Sequence, residues 1–470
     1  MKKSHQVAIQ GLGLLARKGF LALSFLLIAR EFGPNKFGTF SYVFTWVYVF
    51  ALFSSLGFSP VSTREVARDQ AIAPEVLGCA LAIRLIASII SVAVLLGVMF
   101  FSSMGKPELR SMVLILAWTI PPLAVLDQLG AYVMGFGSNS GFAFINFIQW
   151  GSYFVATILG IVVWHKLHAV LTLQLIGVLC SLVVCVVVFR ADVLEAVRRG
   201  FNMRLAKYLT REAAPLAMTN LLGVLYFRIG TLQLYHFLGP KPTGLYTSSL
   251  QVVEALQLVP MAITGAMFPL ISKAVGNNDQ FSRLFNNIVI VLVFFSLFIG
   301  ATASTIGPSV MSLLFGTDYV GSGRLLSLLI WAATPTFLHF TFAYFLIAAH
   351  KQKLVTLNAV LGVIISFAAN LTLIPRYGVM GAVYGSLITE TSICILHFSF
   401  LFPLIKISRE LKLLAMPTLG ALIVVLTGIR WHDYINATLI NVALFSSFSG
   451  LLFGTAFFLC RQLRQDFETA

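Results

Sequence analysis

Several ionisable side chains lie inside long apolar stretches of this chain, where such side chains are rare. Arg17 and Lys18 interrupt the first apolar stretch, and Arg228 lies near the middle of the seventh. A charge at the centre of a membrane costs about 2.5–3.5 kcal/mol on insertion scales, so these residues generally face a protein interior or a water-filled cavity. The three cations predict a site for an anionic substrate. Snorkelling to the membrane surface or a structural ion pair is the competing interpretation.

Three acidic residues and one histidine occupy similar positions in other apolar stretches. Asp127, Glu254 and Glu390 can each pair with an embedded cation, or can carry a proton or a sodium ion during transport. His339 is a further candidate proton carrier, because imidazole titrates near neutral pH. Arg84 lies near the end of its apolar stretch, so we expect its guanidinium to reach the membrane surface.

The composition indicates what kind of element holds these residues. Of the 470 residues, 58% are hydrophobic and only 10% are charged, whereas soluble domains carry about 25% charged residues. Helices in lipid need an apolar outer face as well as an apolar core, so the sequence predicts an all-α integral membrane protein. The net charge of +15 fits the positive-inside rule. Nucleic-acid binding is not expected, because no soluble domain presents a basic face.

Fourteen apolar stretches have the length of about 20 residues that a helix needs to cross a bilayer. The predicted spans are 7–30, 38–59, 78–101, 111–135, 142–164, 169–190, 213–236, 245–271, 284–306, 323–349, 354–374, 379–401, 413–430 and 438–460. Lys and Arg concentrate at the N-terminus and in alternate loops, which predicts that both termini are cytoplasmic. An even number of spans is consistent with this orientation.

The longest hydrophilic stretch separates two halves of six spans each. The predicted parts are an N-terminal lobe with helices 1–6 (1–190), a cytoplasmic basic linker (191–212), a C-terminal lobe with helices 7–12 (213–401), and helices 13 and 14 with a short tail (402–470). We expect the two lobes to surround a central cavity. The cations then lie on the first helix of each half, where they can meet in that cavity.

The two halves carry matching loops, which indicates an internal repeat. FGPNKFGTFSY follows the first span and LGPKPTGLYTS follows the seventh, so that Gly33-Pro34 and Gly38 match Gly239-Pro240 and Gly244. A second match relates Ala131-Tyr132 to Ala343-Tyr344. Each half has an even number of spans, so the repeats are parallel and related by an axis along the membrane normal.

Motifs of soluble catalysis are absent from the sequence. No GxxxxGK[ST] phosphate loop, HExxH, GxSxG or Cys/His cluster occurs, and GLGLLARKG lacks the third glycine of a dinucleotide fingerprint. We therefore expect no metal site, no cofactor and no enzymatic activity.

The segment from LLARKGFLALSFLLIAREFGPNKFGTFSY to REVAR resembles the start of the bacterial O-antigen and polysaccharide-unit flippases. These belong to the multidrug/oligosaccharidyl-lipid/polysaccharide (MOP) exporter superfamily. LIPRYGVMGAVYGSLITE, at 373–390, resembles the junction of their eleventh and twelfth helices. The resemblance implies two helical lobes that work by alternating access in the bacterial inner membrane. Its implied substrate is undecaprenyl-diphosphate carrying an oligosaccharide, with Arg17, Lys18 and Arg228 as contacts of the diphosphate.

Membrane lipid is a further expected partner, and the polymerase and other polysaccharide-assembly proteins are candidate partners. Two alternatives stay open: a cation-coupled multidrug exporter of the same superfamily and a membrane-embedded polysaccharide polymerase or ligase. Cationic drugs favour acidic cavities, and a ligase needs a large loop, whereas the longest outer loop, near 307–322, is short. The sequence does not identify the glycan, the coupling ion or the oligomeric state.

Overall fold

The computed structural model describes residues 2–55, 57–101 and 107–407, and throughout these ranges the chain is α-helical with no β-strand. Short turns and single turns of 3₁₀-helix connect the α-helices of this described part. The helices are α1 Lys2–Ser55, α2 Phe58–Arg68, α3 Ala73–Phe101, α4 Pro107–Ala117, α5 Ile120–Gly135, α6 Asn139–Trp164, α7 Leu167–Val188, α8 Arg190–Arg199, α9 Met203–Leu238, α10 Pro240–Leu256, α11 Leu258–Lys273, α12 Asn278–Phe315, α13 Val320–Leu329, α14 Ala333–Ala348, α15 Gln352–Tyr377 and α16 Val379–Leu401.

Eleven segments of the described chain are long and apolar enough to cross a membrane. Each of the first twelve predicted spans overlaps one of these segments over most of its length, and the first two spans fall in a single segment, Gly11–Arg68. The prediction of an all-α multi-pass membrane protein is confirmed. The predicted spans 413–430 and 438–460, which form the two-helix tail, lie outside the described residues.

The helices bury polar side chains within a largely apolar core and leave many large apolar side chains exposed. On α7, Gln174 is fully buried and its amide donates a 2.9 Å hydrogen bond to the hydroxyl of Thr157 on α6. Val183 on the same helix is 62% exposed. Lipid accepts such apolar surface and cannot satisfy a polar group, so polar side chains pair between helices.

The chain divides into two compact units, residues 1–244 and 245–470. The first unit includes α9, which the sequence-based division assigns to the C-terminal lobe. Within this unit Arg64 on α2 forms a 2.9 Å salt bridge with Glu212 on α9, and Tyr208 donates a 3.1 Å hydrogen bond to Glu65. The lobe and linker boundaries drawn from the sequence stay predictions.

The two Gly-Pro segments of the predicted repeat have the same backbone shape and contact each other within the first unit. Gly33 (φ 71°, ψ 174°) kinks α1, and Gly239 (φ 79°, ψ −166°) precedes α10; this conformation is almost restricted to glycine. A Cβ atom on Gly38 would overlap the carbonyl oxygen of Pro240, and one on Gly244 would overlap that of Pro34. The contact is reciprocal, as expected for two copies of one motif.

Candidate functional site

A buried arginine anchors a polar cluster inside the first unit. Arg84 on α3 is 1% exposed. Its guanidinium donates hydrogen bonds to the hydroxyl of Ser59 on α2 (3.2 Å), to the amide oxygen of Gln128 on α5 (3.2 Å) and to the carboxylate of Asp127 (3.3 Å). An isolated buried charge costs several kcal/mol, and these three acceptors offset that cost. Arg84 therefore holds α2, α3 and α5 around one fixed positive charge.

Asp127 lies between two guanidiniums that come from different helices. Its Oδ2 is 3.3 Å from Nη2 of Arg84, and its Oδ1 is 3.8 Å from Nη1 of Arg17 on α1. Arg17 and Asp127 are 38% and 39% exposed, so this half of the cluster faces open space. Arg17 also lies over the indole ring of Trp150 on α6, 5.4 Å from its centroid, in cation–π geometry.

These charged groups line a cavity of about 140 Å³ within the first unit. Its charged lining residues are Arg17, Arg84 and Asp127, and α6 contributes Trp150 and Tyr153, which lie on one helix face at a spacing of three residues. Trp150 is 9% exposed and Tyr153 is 5% exposed. In the described part of the chain, neither the Nε1 of Trp150 nor the hydroxyl of Tyr153 has a hydrogen-bond partner.

Buried polar groups without partners are rare in folded proteins, and one explanation is a ligand that is absent. The cavity offers two cations and two neutral donors to such a ligand, with Asp127 as the charged acceptor. Its volume of about 140 Å³ is close to the roughly 150 Å³ of an engineered cavity that binds benzene. The site therefore fits a compact anionic group, such as a phosphate, and is too small for an oligosaccharide.

The other predicted cations lie elsewhere in the first unit. Lys18 is exposed and lies about 100° around α1 from Arg17. Arg228 on α9 is half-buried. Among the described residues, the cavity lining includes neither Lys18 nor Arg228. The prediction that Arg17 and Arg228 share a central cavity stays a prediction. Glu254 on α10 is also half-buried and does not line this cavity.

The second unit joins two predicted residues in a separate cluster. Glu390 on α16 is 6% exposed, and its Oε2 lies 3.0 Å from Nε2 of His339 on α14 and 2.8 Å from the hydroxyl of Thr336. His397, two turns further along α16, stacks on His339 with ring centroids 5.9 Å apart. This cluster and the Arg17–Arg84 cavity belong to different units.

One expectation is wrong, and several site residues escaped the sequence reasoning. Arg84 does not reach the membrane surface, because its two Nη groups donate hydrogen bonds to Ser59, Gln128 and Asp127 in the interior. Trp150 and Tyr153 look like ordinary apolar residues in the sequence, and only their missing partners mark them. A signal for Arg84 existed, since it lies in the apolar window of a predicted span.

Long apolar helices packed in two units, with polar clusters turned inward, define a multi-pass α-helical membrane protein. Residues 5–275, more than half of the chain, match the family described as polysaccharide biosynthesis protein. The chain belongs to this family. Residues 215–372 also match the MatE family.

Solved structures of two transporters share the fold. An inward-facing multidrug resistance MATE transporter of the MOP superfamily gives a TM-score of 0.67 at 16% identity, covering 84% of this chain and 97% of that chain. The lipid II flippase MurJ, in an inward closed conformation, gives a TM-score of 0.67 at 14% identity, covering 96% of this chain and 100% of that chain. At these identities the similarity establishes the fold.

A curated relative is the probable low-salt glycan biosynthesis flippase Agl15 of Haloferax volcanii. It is 23% identical over 229 residues, which cover 46% of this chain and 46% of the relative. The alignment thus spans less than half of that relative's length. Together with the family match, these comparisons confirm the resemblance to polysaccharide-unit flippases of the MOP superfamily.

Proposed function

We propose that this protein is a flippase for an undecaprenyl-diphosphate-linked oligosaccharide, such as an O-antigen or a related polysaccharide repeat unit. It moves this substrate between the leaflets of the bacterial inner membrane by alternating access, with both termini in the cytoplasm. Membership of the polysaccharide biosynthesis family supports the class of activity. The observation that carries the choice of substrate is the cavity lined by Arg17 and Arg84.

The charge balance of this cavity favours an anion. Two guanidiniums face one carboxylate, so the lining carries a net charge of +1. Guanidinium groups bind phosphate oxygens with charge-assisted and often bidentate hydrogen bonds. Because Arg84 is held on three sides by the protein, it supplies a fixed charge, while the partly exposed Arg17 is free to reorient toward a ligand.

Asp127 occupies both guanidiniums in the described structure, so an entering phosphate group competes with it. The phosphate takes over Arg17 first, because that ion pair is the longer and more exposed of the two. Trp150 and Tyr153 then donate their free N–H and O–H groups to phosphate oxygens. The lipid chain and the glycan lie outside this cavity, whose volume of about 140 Å³ admits only the charged group.

Lys18 and Arg228 are proposed as further contacts of the diphosphate, outside the cavity and along the path of the head group. The acids Glu254 and Glu390 and the imidazole of His339 are proposed as coupling or ion-pairing groups. Membrane lipid surrounds the helices, and the lipid-linked oligosaccharide is the proposed substrate.

Reconstituted vesicles test the proposal. A labelled undecaprenyl-diphosphate oligosaccharide should change leaflets in vesicles with the wild-type protein. Arg17→Gln should slow this movement at least about tenfold, the equivalent of roughly 1.4 kcal/mol. Lys166→Gln is the matched control, since it removes an exposed cation of the same unit outside the cavity. Equal rates for Arg17→Gln and wild type would exclude the cavity from the transport mechanism.

Cation-coupled multidrug export is a second candidate function. The match of residues 215–372 to MatE and the fold of a MATE transporter favour it. Asp127 would then bind a cationic drug, but its two arginine neighbours oppose a further positive charge. Drug efflux by the same vesicles, abolished by Asp127→Asn, would establish this alternative.

A further inference from the structure

The buried cluster of Glu390, His339 and His397 in the second unit has no part in anion binding. Glu390 is 6% exposed, His339 5% and His397 4%. Thr336 completes the contacts of the carboxylate. Three titratable groups buried together are costly to keep in a membrane protein, so their arrangement calls for a role.

The hydrogen bonds of Thr336 fit two protonation states of Glu390. The Thr336 hydroxyl has a single hydrogen but lies within reach of two acceptors, the carbonyl oxygen of Ala332 (2.6 Å) and Oε2 of Glu390 (2.8 Å). When Glu390 is ionised, Thr336 donates to the carboxylate. When Glu390 is protonated, its carboxyl group donates to the hydroxyl oxygen of Thr336. The Thr336 hydroxyl then donates to the carbonyl oxygen of Ala332. Neither state leaves the carboxyl group without a partner, and this is what reversible proton binding requires.

His339 gives the proton a second position. Nε2 of His339 lies 3.0 Å from Glu390, so a proton can pass between the imidazole and the carboxylate along an existing hydrogen bond. His397 stacks on His339 at 5.9 Å, and within the described residues neither of its ring nitrogens has a hydrogen-bond partner. Burial without a hydrogen-bond partner disfavours a charged imidazole, so the bound proton lies on Glu390 or His339, and the neutral His397 stacks beside them.

The charged side chains on the described helices around this cluster lie at the surface. Cys394, one turn from Glu390, is a further titratable side chain that interacts with this carboxylate. On helices α11 to α16 the other charged side chains are all exposed, namely Lys273, Asp279, Arg283, Arg324, Lys353 and Arg376.

We infer that Glu390, His339 and His397 form a proton-binding site in the second unit. The ligand is a proton, because hard cations such as Mg²⁺ and Ca²⁺ prefer sets of oxygen ligands, and no group of three His, Cys, Asp or Glu side chains in the described part of the chain has the arrangement of a metal site. Proton binding by the cluster does not depend on the proposed substrate. A role of the bound proton in driving movement of the lipid-linked oligosaccharide rests on the proposed function.

A pH jump on the full-length protein, reconstituted in a solid-supported membrane, tests the site without any transported substrate. Lowering the pH from about 8 to about 6, the range in which imidazole titrates, should give the wild type a transient current from proton binding. Glu390→Gln, which keeps the side-chain shape, and His339→Asn should each reduce the displaced charge about tenfold, because amides do not titrate. His350→Asn is the control, since His350 is exposed and its positive φ of 59° suits asparagine.

Three results would overturn the inference. The first is an unchanged current in both Glu390→Gln and His339→Asn. The second is a current that is lost only in Asp127→Asn. The third is a current that follows a sodium jump at constant pH and disappears in Glu390→Gln. Circular dichroism and elution volume confirm that each variant is folded.

Coupling is measured separately in vesicles with a pH gradient. The gradient should accelerate wild-type flipping of the labelled lipid-linked oligosaccharide, and Glu390→Gln should keep only the gradient-independent rate. If the wild type moves no oligosaccharide while its pH-jump current persists, the proposed function fails and the proton site stands.

Discussion

Replacement of Asp127 by Asn is expected to strengthen the binding of an anionic head group. Asp127 is the internal anion that occupies Arg17 and Arg84, at 3.8 Å and 3.3 Å. Asn has the same size and still accepts a hydrogen bond from Arg84, so the packing of α3 against α5 is kept. The substitution removes the charge that a phosphate group must displace.

The magnitude follows from the two ion pairs. At an effective dielectric constant near 20, each pair is worth about 4–5 kcal/mol of Coulomb energy. Arg17 and Asp127 are both more than one-third exposed, so solvent reduces their pair to about 1 kcal/mol or less. The Arg84 pair keeps more of its energy, but Arg84 retains Ser59 and Gln128 after the substitution. We therefore expect a gain of about 1–2 kcal/mol, or roughly 5- to 30-fold tighter binding.

Isothermal titration calorimetry with farnesyl diphosphate measures this effect, because this soluble ligand carries a diphosphate on a short prenyl chain. Asp279→Asn is the control, since Asp279 is an exposed acid of the other unit that pairs with Lys406. The control should bind as the wild type does. Unchanged or weaker binding by Asp127→Asn would refute the competition between Asp127 and the ligand.

Two further substitutions test the indole N–H of Trp150 and the contact between Gly38 and Pro240. Trp150→Phe keeps a ring beside Arg17 but removes the free indole N–H. Because a hydrogen bond to a charged group is worth about 1.5–3 kcal/mol, the affinity for farnesyl diphosphate should fall by about tenfold or more, as measured by calorimetry. Trp118→Phe, on a side chain that is 50% exposed, should leave binding unchanged. Gly38→Ala places a methyl group against the carbonyl oxygen of Pro240 and should lower the free energy of unfolding by about 1–3 kcal/mol in thermal melts. Gly19→Ala meets no atom within 4 Å and is the control; equal melting temperatures would show that the reciprocal glycine contact is dispensable.

The sequence predicted the membrane spans because their signal is local. Each described span is a continuous apolar stretch, and hydropathy marks it without knowledge of its neighbours. The Gly-Pro repeat was also visible, since a positive φ with ψ near 180°, as at Gly33 and Gly239, is almost restricted to glycine. What the repeat does, namely bring Gly38 against Pro240, depends on packing and could not be read from the loops alone.

The site was only partly predictable. Arg17 and Asp127 stood out as charges in apolar stretches, but nothing local indicates that α1, α3 and α5 bring them together with Arg84. In the second unit, Glu390 and His339 were each recognised as embedded titratable groups. Their pairing joins residues 51 positions apart on different helices, so only the folded structure shows it.

The central claim is that the cavity of Arg17 and Arg84 binds the anionic head group of the substrate. Binding of farnesyl diphosphate to the purified Arg17→Gln protein, compared with the wild type and Lys166→Gln, tests it most directly. Loss of one charge-assisted bond should weaken binding of Arg17→Gln about tenfold or more, at roughly 1.5–3 kcal/mol, and should leave Lys166→Gln unchanged. Equal affinities for all three proteins would contradict the claim.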